Sequence, residues 1–257
     1  MARTIAICNQ KGGVGKSTTA VNVGSYLALN DRRTLLIDLD PQGNATTSCG
    51  IPRKELTHDT YEVLVGGVGP AEAIRRTPVE RLDIIPASLN LAGAEIFLSS
   101  IEERETLLRR LCEPLKSNYE FLLLDCPPSL GLITVNALVA ADSTIIPVQC
   151  EYLALEGLNS LMHLATMVKH NLNPSLRIGG IVLTMTDFRA TLAREVADEV
   201  KRFFKDEVFH TAIPRNIRLA ESPSHGKPIC LYDPHSTGAL AYQLLTQEVI
   251  IKERPEG

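Results

Sequence analysis

The chain has 257 residues, enough for one large α/β domain, and its 44% hydrophobic content suits an ordinary folded core. A formal charge of −4, 5% aromatic residues and no tryptophan exclude a broadly basic nucleic-acid binder and a base-stacking platform, so any DNA contact must come from a local patch. Six cysteines (Cys8, Cys49, Cys112, Cys126, Cys150 and Cys230) form no C-x-x-C pair and have no His at zinc-ligand spacing, which points to buried reduced thiols.

The β-branched run 4–8 predicts a strand buried on both faces, and it begins too early to leave room for a signal peptide. Next comes Gln10-Lys11-Gly12-Gly13-Val14-Gly15-Lys16-Ser17-Thr18, close to the phosphate-binding pattern G-x-x-x-x-G-K-[ST]. Gly15, Lys16 and Ser17 supply its second half, Gln10 replaces its first glycine, and Lys11 is a second cation that one nucleotide does not require. Residues 17–29 are rich in helix formers with Ala20, Val23, Gly24 and Leu27 at helical spacing, so the loop sits between strand and helix, where N–H groups aim at phosphate. Lys16 is placed for the β/γ-phosphates and the Ser17 hydroxyl for Mg²⁺.

Further strands are predicted at 34–38, 82–86, 121–125, 143–148 and 178–184, with a weaker one at 208–213. Helices are predicted at 102–116, 131–140, 155–170, 192–204 and 238–252. Alternation of this kind predicts a P-loop type α/β fold over residues 1–257, a mostly parallel twisted sheet with helices on both faces and ligands outside the strand C-termini. Asp125 ends an apolar strand and can hold a metal directly or through water. Asp38 and Asp40 lie two apart on an extended segment, hence on one side. Asp40, at the loop edge, is placed to orient or deprotonate an attacking water, whereas Asp38 supports the loop or the metal's water shell. The longest uncharged stretch, 126–141, is too short to cross a bilayer, so a soluble cytoplasmic protein is expected.

These motifs carry a resemblance. Residues 11–18, Leu-Ile-Asp-Leu-Asp-Pro-Gln-Gly-Asn-Ala-Thr at 36–46 and Leu-Leu-Asp-Cys-Pro-Pro-Ser at 123–129 resemble the ParA/Soj partition ATPases, a group with a deviant Walker loop that also includes MinD. The segments 149–152, 213–216 and 221–227 extend the likeness over nearly the whole chain. The resemblance implies ATP and Mg²⁺ as cofactors, with Lys11, Gly12, Gly13, Val14, Gly15, Lys16, Ser17 and Thr18 forming the nucleotide loop. It implies that Ser17 and Asp125 serve the metal, that Lys11 reaches across an ATP-dependent homodimer, and that Gly12 is small because the partner packs there. Pro214 and Asn216 match adenine-contacting positions. Arg189 and Arg218 match surface residues that touch nonspecific double-stranded DNA. Eight basic and six acidic residues between 189 and 227 give that region only a modest positive surplus. A ParB-type partner, no membrane and a nucleoid-associated location complete the expectation.

The cargo implied is a chromosome, a plasmid or another body such as a chemotaxis array, and two related readings compete with partition itself. A MinD-like membrane-associated positioning ATPase would need an amphipathic tail, and Val-Ile-Ile-Lys-Glu-Arg-Pro-Glu-Gly at 249–257 has too little apolar length. A reductase of the nitrogenase iron-protein type would need cysteines paired across a dimer, and Cys126 has no second cysteine in a matching motif.

Overall fold

Leucines 122–124, with no charge among them, sit in a strand buried on both faces, and such strands make the centre of the sheet. The computed structural model describes residues 2–151 and 154–254. Tyr152 of the segment 149–152 and residues 255–257 of the tail lie outside the described residues.

In chain order the first elements are β1 (Arg3–Ile7), α1 (Lys16–Leu29), β2 (Thr34–Asp38), α2 (Asn44–Ser48), α3 (Thr60–Leu64) and β3 (Arg75–Arg76). Next come β4 (Leu82–Ile85), α4 (Ala94–Leu98), α5 (Leu107–Cys112), β5 (Phe121–Asp125), α6 (Leu132–Ala140) and β6 (Ser143–Gln149). The chain closes with α7 (Ala154–Asn171), β7 (Arg177–Thr184), α8 (Thr191–Phe204), α9 (Ile217–Glu221), α10 (Ile229–Tyr232) and α11 (Thr237–Lys252). Among the described residues the strands form one sheet of order β3-β4-β2-β5-β1-β6-β7, parallel except for the β3–β4 pair.

Alternation along β1 divides the core. Ile5 and Ile7 face α1 and α11, while Ala6 and Cys8 face the side covered by α5, α6 and α7. Each leucine or isoleucine fully buried here contributes about 1.5–3 kcal/mol. Helix α1 is buried on nearly every side because α11 covers its outer face, with the Tyr242 hydroxyl 3.1 Å from Thr19 Oγ1. On its other side Gly24 lets α1 lie close on the sheet: a Cβ there would lie 3.2 Å from Leu123 Cδ1 and 3.3 Å from Leu82 Cδ1.

Two predicted elements differ. The helix expected at 102–116 is broken into a 3-10 turn at Arg104–Thr106, α5, and a second 3-10 turn at Glu113–Ser117. Pro114 lacks an N–H and its ring crowds the preceding turn, so the α-helix ends before it. The strand expected at 208–213 does not form a ladder. Phe209 N–H donates to Ile181 O at 2.9 Å and Ile213 N–H to Leu183 O at 2.8 Å, so four residues here span two in β7. Between them the N–H groups of His210 and Thr211 bond the Glu248 carboxylate at 2.8 and 2.9 Å, which draws them away from the strand.

Candidate active site

The strand order β2-β5-β1 brings three C-terminal ends together. Asp38 pairs in register with Asp125, and Ile7 pairs with Asp125 on the other side. The glycine loop, Asp125 and the segment 38–40 therefore meet although they are far apart in sequence.

The loop is held at both ends. Asn9 Nδ2 donates to Pro147 O at 2.7 Å while its Oδ1 accepts the Lys11 N–H at 3.0 Å. Farther along, Thr184 Oγ1 donates to Val14 O at 2.8 Å. Gly13 and Gly15 have φ of +76° and +89°, a left-handed backbone that favours glycine and turns successive N–H groups inward. Gly15 leads directly into α1, so the positive end of that helix faces the same space.

A cleft of about 300 Å³ opens there, lined by Gly13, Lys16, Ser17, Asp40 and Pro128 among others. A second, of about 200 Å³, shares Gly15, Thr18 and Met185 with it and extends to Pro214, Asn216 and Tyr242. The first has the chemistry of a phosphate compartment and the second the enclosed, more apolar character of a base compartment. Two larger clefts, of about 540 and 700 Å³, lie at the opposite end of the strands and are lined by residues such as Arg3, Arg33 and Tyr119. They hold neither the loop nor the aspartates.

Lys16 is 6% exposed, and its ammonium donates to Lys11 O at 2.9 Å. Burial lowers its pKa, opposed chiefly by the charge of Asp125. Asp125 is fully buried, and among the described residues neither of its carboxylate oxygens has a hydrogen-bond partner. Burial, then the nearby Asp38 charge, pushes its carboxyl well above the usual range, with Ser17 and Lys16 opposing the rise. The Ser17 hydroxyl thus lies near the carboxylate without pairing with it in good geometry. Two orphaned, buried carboxylate oxygens beside a serine hydroxyl are a donor set that fits a hard divalent cation such as Mg²⁺.

Asp38 and Asp40 are both in place but differ in surroundings. Asp38 is fully buried and accepts from Thr46 N at 2.8 Å, Thr46 Oγ1 at 2.7 Å and Asp40 N at 3.1 Å. Burial pushes its carboxyl up to about 6 despite those bonds. Asp40 borders the phosphate compartment and accepts from the Gln42 N–H at 2.9 Å.

Lys11 forms an ion pair in its own chain, Nζ to Glu151 Oε2 at 2.6 Å. Gly12 has room in this chain, since a Cβ would lie 3.9 Å from Pro128 Cβ, an ordinary contact. Pro214 and Asn216 line the base compartment, but the Asn216 amide is engaged: its Oδ1 caps α9 through Leu219 N at 3.2 Å, and its Nδ2 donates to Thr237 Oγ1 at 2.8 Å. Arg189 and Arg218 are exposed and both are paired with carboxylates. Arg189 makes a two-pronged contact with Asp187 at 2.8 Å on each arm, and Arg218 meets Glu221 at 3.0 Å and Asp233 at 3.4 Å.

Sequence reasoning missed Arg53. Its guanidinium donates to Gln42 O at 2.6 Å and Pro41 O at 2.9 Å, clamping the turn that follows Asp40. Thr46 and Glu151 were missed as well. The signal for Thr46 was a hydroxyl eight residues past Asp38 at the start of a helix, whereas nothing local to Arg53 or Glu151 marks a distant partner.

A family model described as an AAA domain matches residues 2–178. The chain is 53% identical over 249 residues to the sporulation initiation inhibitor protein Soj of Bacillus subtilis, covering 97% of this chain and 98% of that protein. It is 47% identical over 253 residues to the chromosome-partitioning ATPase Soj of Treponema pallidum, covering 98% and 99% respectively. A structure of cobyrinic acid a,c-diamide synthase from Mycobacterium smegmatis with bound ADP and magnesium superposes with a TM-score of 0.84 at 37% identity, covering 96% of this chain and 93% of that one.

Proposed function

The chain belongs to the Soj/ParA family of chromosome-partitioning ATPases, and from that premise we propose that it hydrolyses ATP to ADP and phosphate as the switch of a DNA-based partition cycle. The observation that carries this reading is the pair of orphaned Asp125 oxygens beside Ser17 and Lys16 at the mouth of the glycine loop. In this reading residues 1–257 act as one ATPase unit.

The N–H groups of residues 12–18 cradle the phosphates and Lys16 neutralises the β/γ oxygens. Ser17 and Asp125 would hold Mg²⁺, which would supply positive charge to the phosphate oxygens. Asp40 orients the attacking water and accepts its proton, a role that needs a carboxylate at the cleft edge. The base rests against Pro214 in the second compartment. Asn216 lines the same compartment, and its amide, bonded once through Oδ1 and once through Nδ2, keeps a second N–H and a second lone pair for the base edge.

Lys11 reaches the nucleotide of a second copy, so that ATP favours a dimer through its differential affinity for it. To do so it must leave Glu151, a partly exposed ion pair worth only about 0–1 kcal/mol. A dimer presents Arg189 and Arg218 twice over, and phosphate affinity grows with the number of neutralised charges. A ParB-type partner stimulates turnover and resets the cycle.

Sedimentation of the purified protein with ADP, with ATP, and with ATP plus DNA tests this reading. The expected result is a dimer with ATP and co-sedimentation with DNA only when ATP is present. Equal retention in ADP, or none in ATP, would overturn the DNA switch.

A further inference from the structure

Cys8 and Cys126 are 118 positions apart in the chain, yet each lies one residue past the paired residues Ile7 and Asp125 on neighbouring parallel strands. The ladder continues through them, since Cys126 N–H donates to Ile7 O at 3.1 Å. Both side chains point to the same side of the sheet, in the core shared by Ala6 and Leu124, and both are fully buried. Neighbouring strands run about 4.8 Å apart, inside the 4.4–6.8 Å between Cα atoms that a disulfide spans.

We infer that Cys8 and Cys126 are a redox modification site, a dithiol that a hydroperoxide converts to a disulfide and that thereby weakens nucleotide binding by the loop above it. One thiol, as its thiolate, attacks the terminal oxygen of the hydroperoxide, the O–O bond breaks, and the leaving alkoxide takes up the proton the thiol lost and departs as an alcohol (water, for hydrogen peroxide) while a sulfenic acid forms. The second thiol attacks that sulfur, the S–S bond forms, and water leaves with the sulfenic hydroxyl and the thiol proton. The two sulfurs give up two electrons, which the peroxide takes. A thiol reductant reverses the change by exchange.

The coupling to the loop follows from where β1 sits. It lies between β5, which leads to Cys126, and β6, which anchors the loop. Cys8 Sγ is 3.0 Å from Thr144 Oγ1 and Cys8 N–H donates to Ile145 O at 3.2 Å, both on β6. The next residue, Asn9, holds Pro147 O on the same strand and also the Lys11 N–H. A disulfide requires about 3.5–4.5 Å between Cβ atoms, shorter than the strand spacing, so it draws Cys8 toward β5 and away from those anchors. Because Asn9 positions Lys11, whose carbonyl receives the Lys16 ammonium, the displacement reaches the phosphate compartment. Both thiols are fully buried, so the peroxide reaches them only when the structure around them opens locally.

The effect on binding rests on the loop being the nucleotide site, and the experiment separates the two ideas. The native full-length protein is treated with hydrogen peroxide, free thiols are alkylated, and a digest that separates Cys126 from Cys150 is read by mass spectrometry without reduction. A Cys8–Cys126 link, with loss of two hydrogens, is expected. Affinity for a fluorescent ATP analogue should fall by about tenfold or more in the oxidised protein, recover with dithiothreitol, and be unaffected by peroxide in Cys126→Ser. Should Cys126→Ser fold poorly, Cys8→Ser serves the same comparison. Cys8 and Cys126 remaining alkylatable after the more accessible Cys230 has been oxidised would overturn the site. An equal loss of affinity in the serine variants would overturn the coupling. If the reduced protein does not bind the analogue, the nucleotide assignment fails, while the cross-link stands or falls on the mass spectrum.

Discussion

Asp38 and Asp40 show how two like residues two positions apart acquire different work. Asp38 has three hydrogen-bond donors and no exposure, so it fixes the turn leading to Thr46 and cannot approach a reacting group. Asp40 borders the cleft, and its Asp40→Ala variant should bind an ATP analogue within a few-fold of wild type while phosphate release falls about 10²–10⁴-fold. Unimpaired turnover would remove Asp40 from the hydrolytic step. Arg53 touches two carbonyls of the same turn and acts as a positioning residue. Arg53→Ala should lower kcat by about tenfold with KM nearly unchanged, and Arg53→Lys should recover only part of it because a single ammonium cannot span both carbonyls as the planar fork does. A parallel rise in KM would point instead to general loosening of the cleft.

At the scale of elements, the site depends on how closely α1 lies on the sheet. Its first turn forms the loop's floor, and its middle is seated through Gly24 against Leu123 and Leu82. Gly24→Val should overpack that contact and destabilise the fold by about 1–3 kcal/mol, read as a lowered midpoint in urea with an unchanged slope. A midpoint equal to wild type would mean that the helix shifts freely, which the anchoring of α1 by α11 opposes. The broken helix around Pro114 and the segment 208–213 are the elements that local pattern misjudged. In the first, one proline outweighs a helical run of apolar positions. In the second, a carboxylate from α11 takes the N–H groups that a strand would have offered to β7.

At the scale of the whole molecule, the surface arginines matched to DNA contact begin in ion pairs with their own chain. Exposed pairs of this kind are weakly held because water and salt screen them, so a phosphate can displace the carboxylate, and affinity should fall steeply with added salt. Arg218→Glu should lose retention on DNA while still dimerising in ATP, and a gel shift identical to wild type at low salt would rule out that contact. Lys11→Ala should bind nucleotide yet remain monomeric in ATP by light scattering. A normal ATP dimer would confine Lys11 to its own chain, where Glu151 holds it. For the membrane-associated alternative, α11 buries Tyr242, Leu245 and Val249 against the body of the protein, although Leu240, Leu244 and Ile251 stay exposed. Among the described residues no helix is long and apolar enough to cross a membrane.

The amino-acid sequence by itself determined the parallel α/β plan, the glycine loop with its two lysines, and the strand-end aspartates. Each of these is a local pattern: an apolar run, a glycine spacing, a carboxylate where a buried strand stops. Tertiary structure alone decided which aspartate is sealed and which faces the cleft, that both Asp125 oxygens are left without partners, and that Arg53 clamps the turn beside Asp40. It also decided that Lys11 rests on Glu151 and that Cys8 meets Cys126. Those relations join residues far apart in the chain through strand order and register, and no spacing along the chain encodes which strands become neighbours.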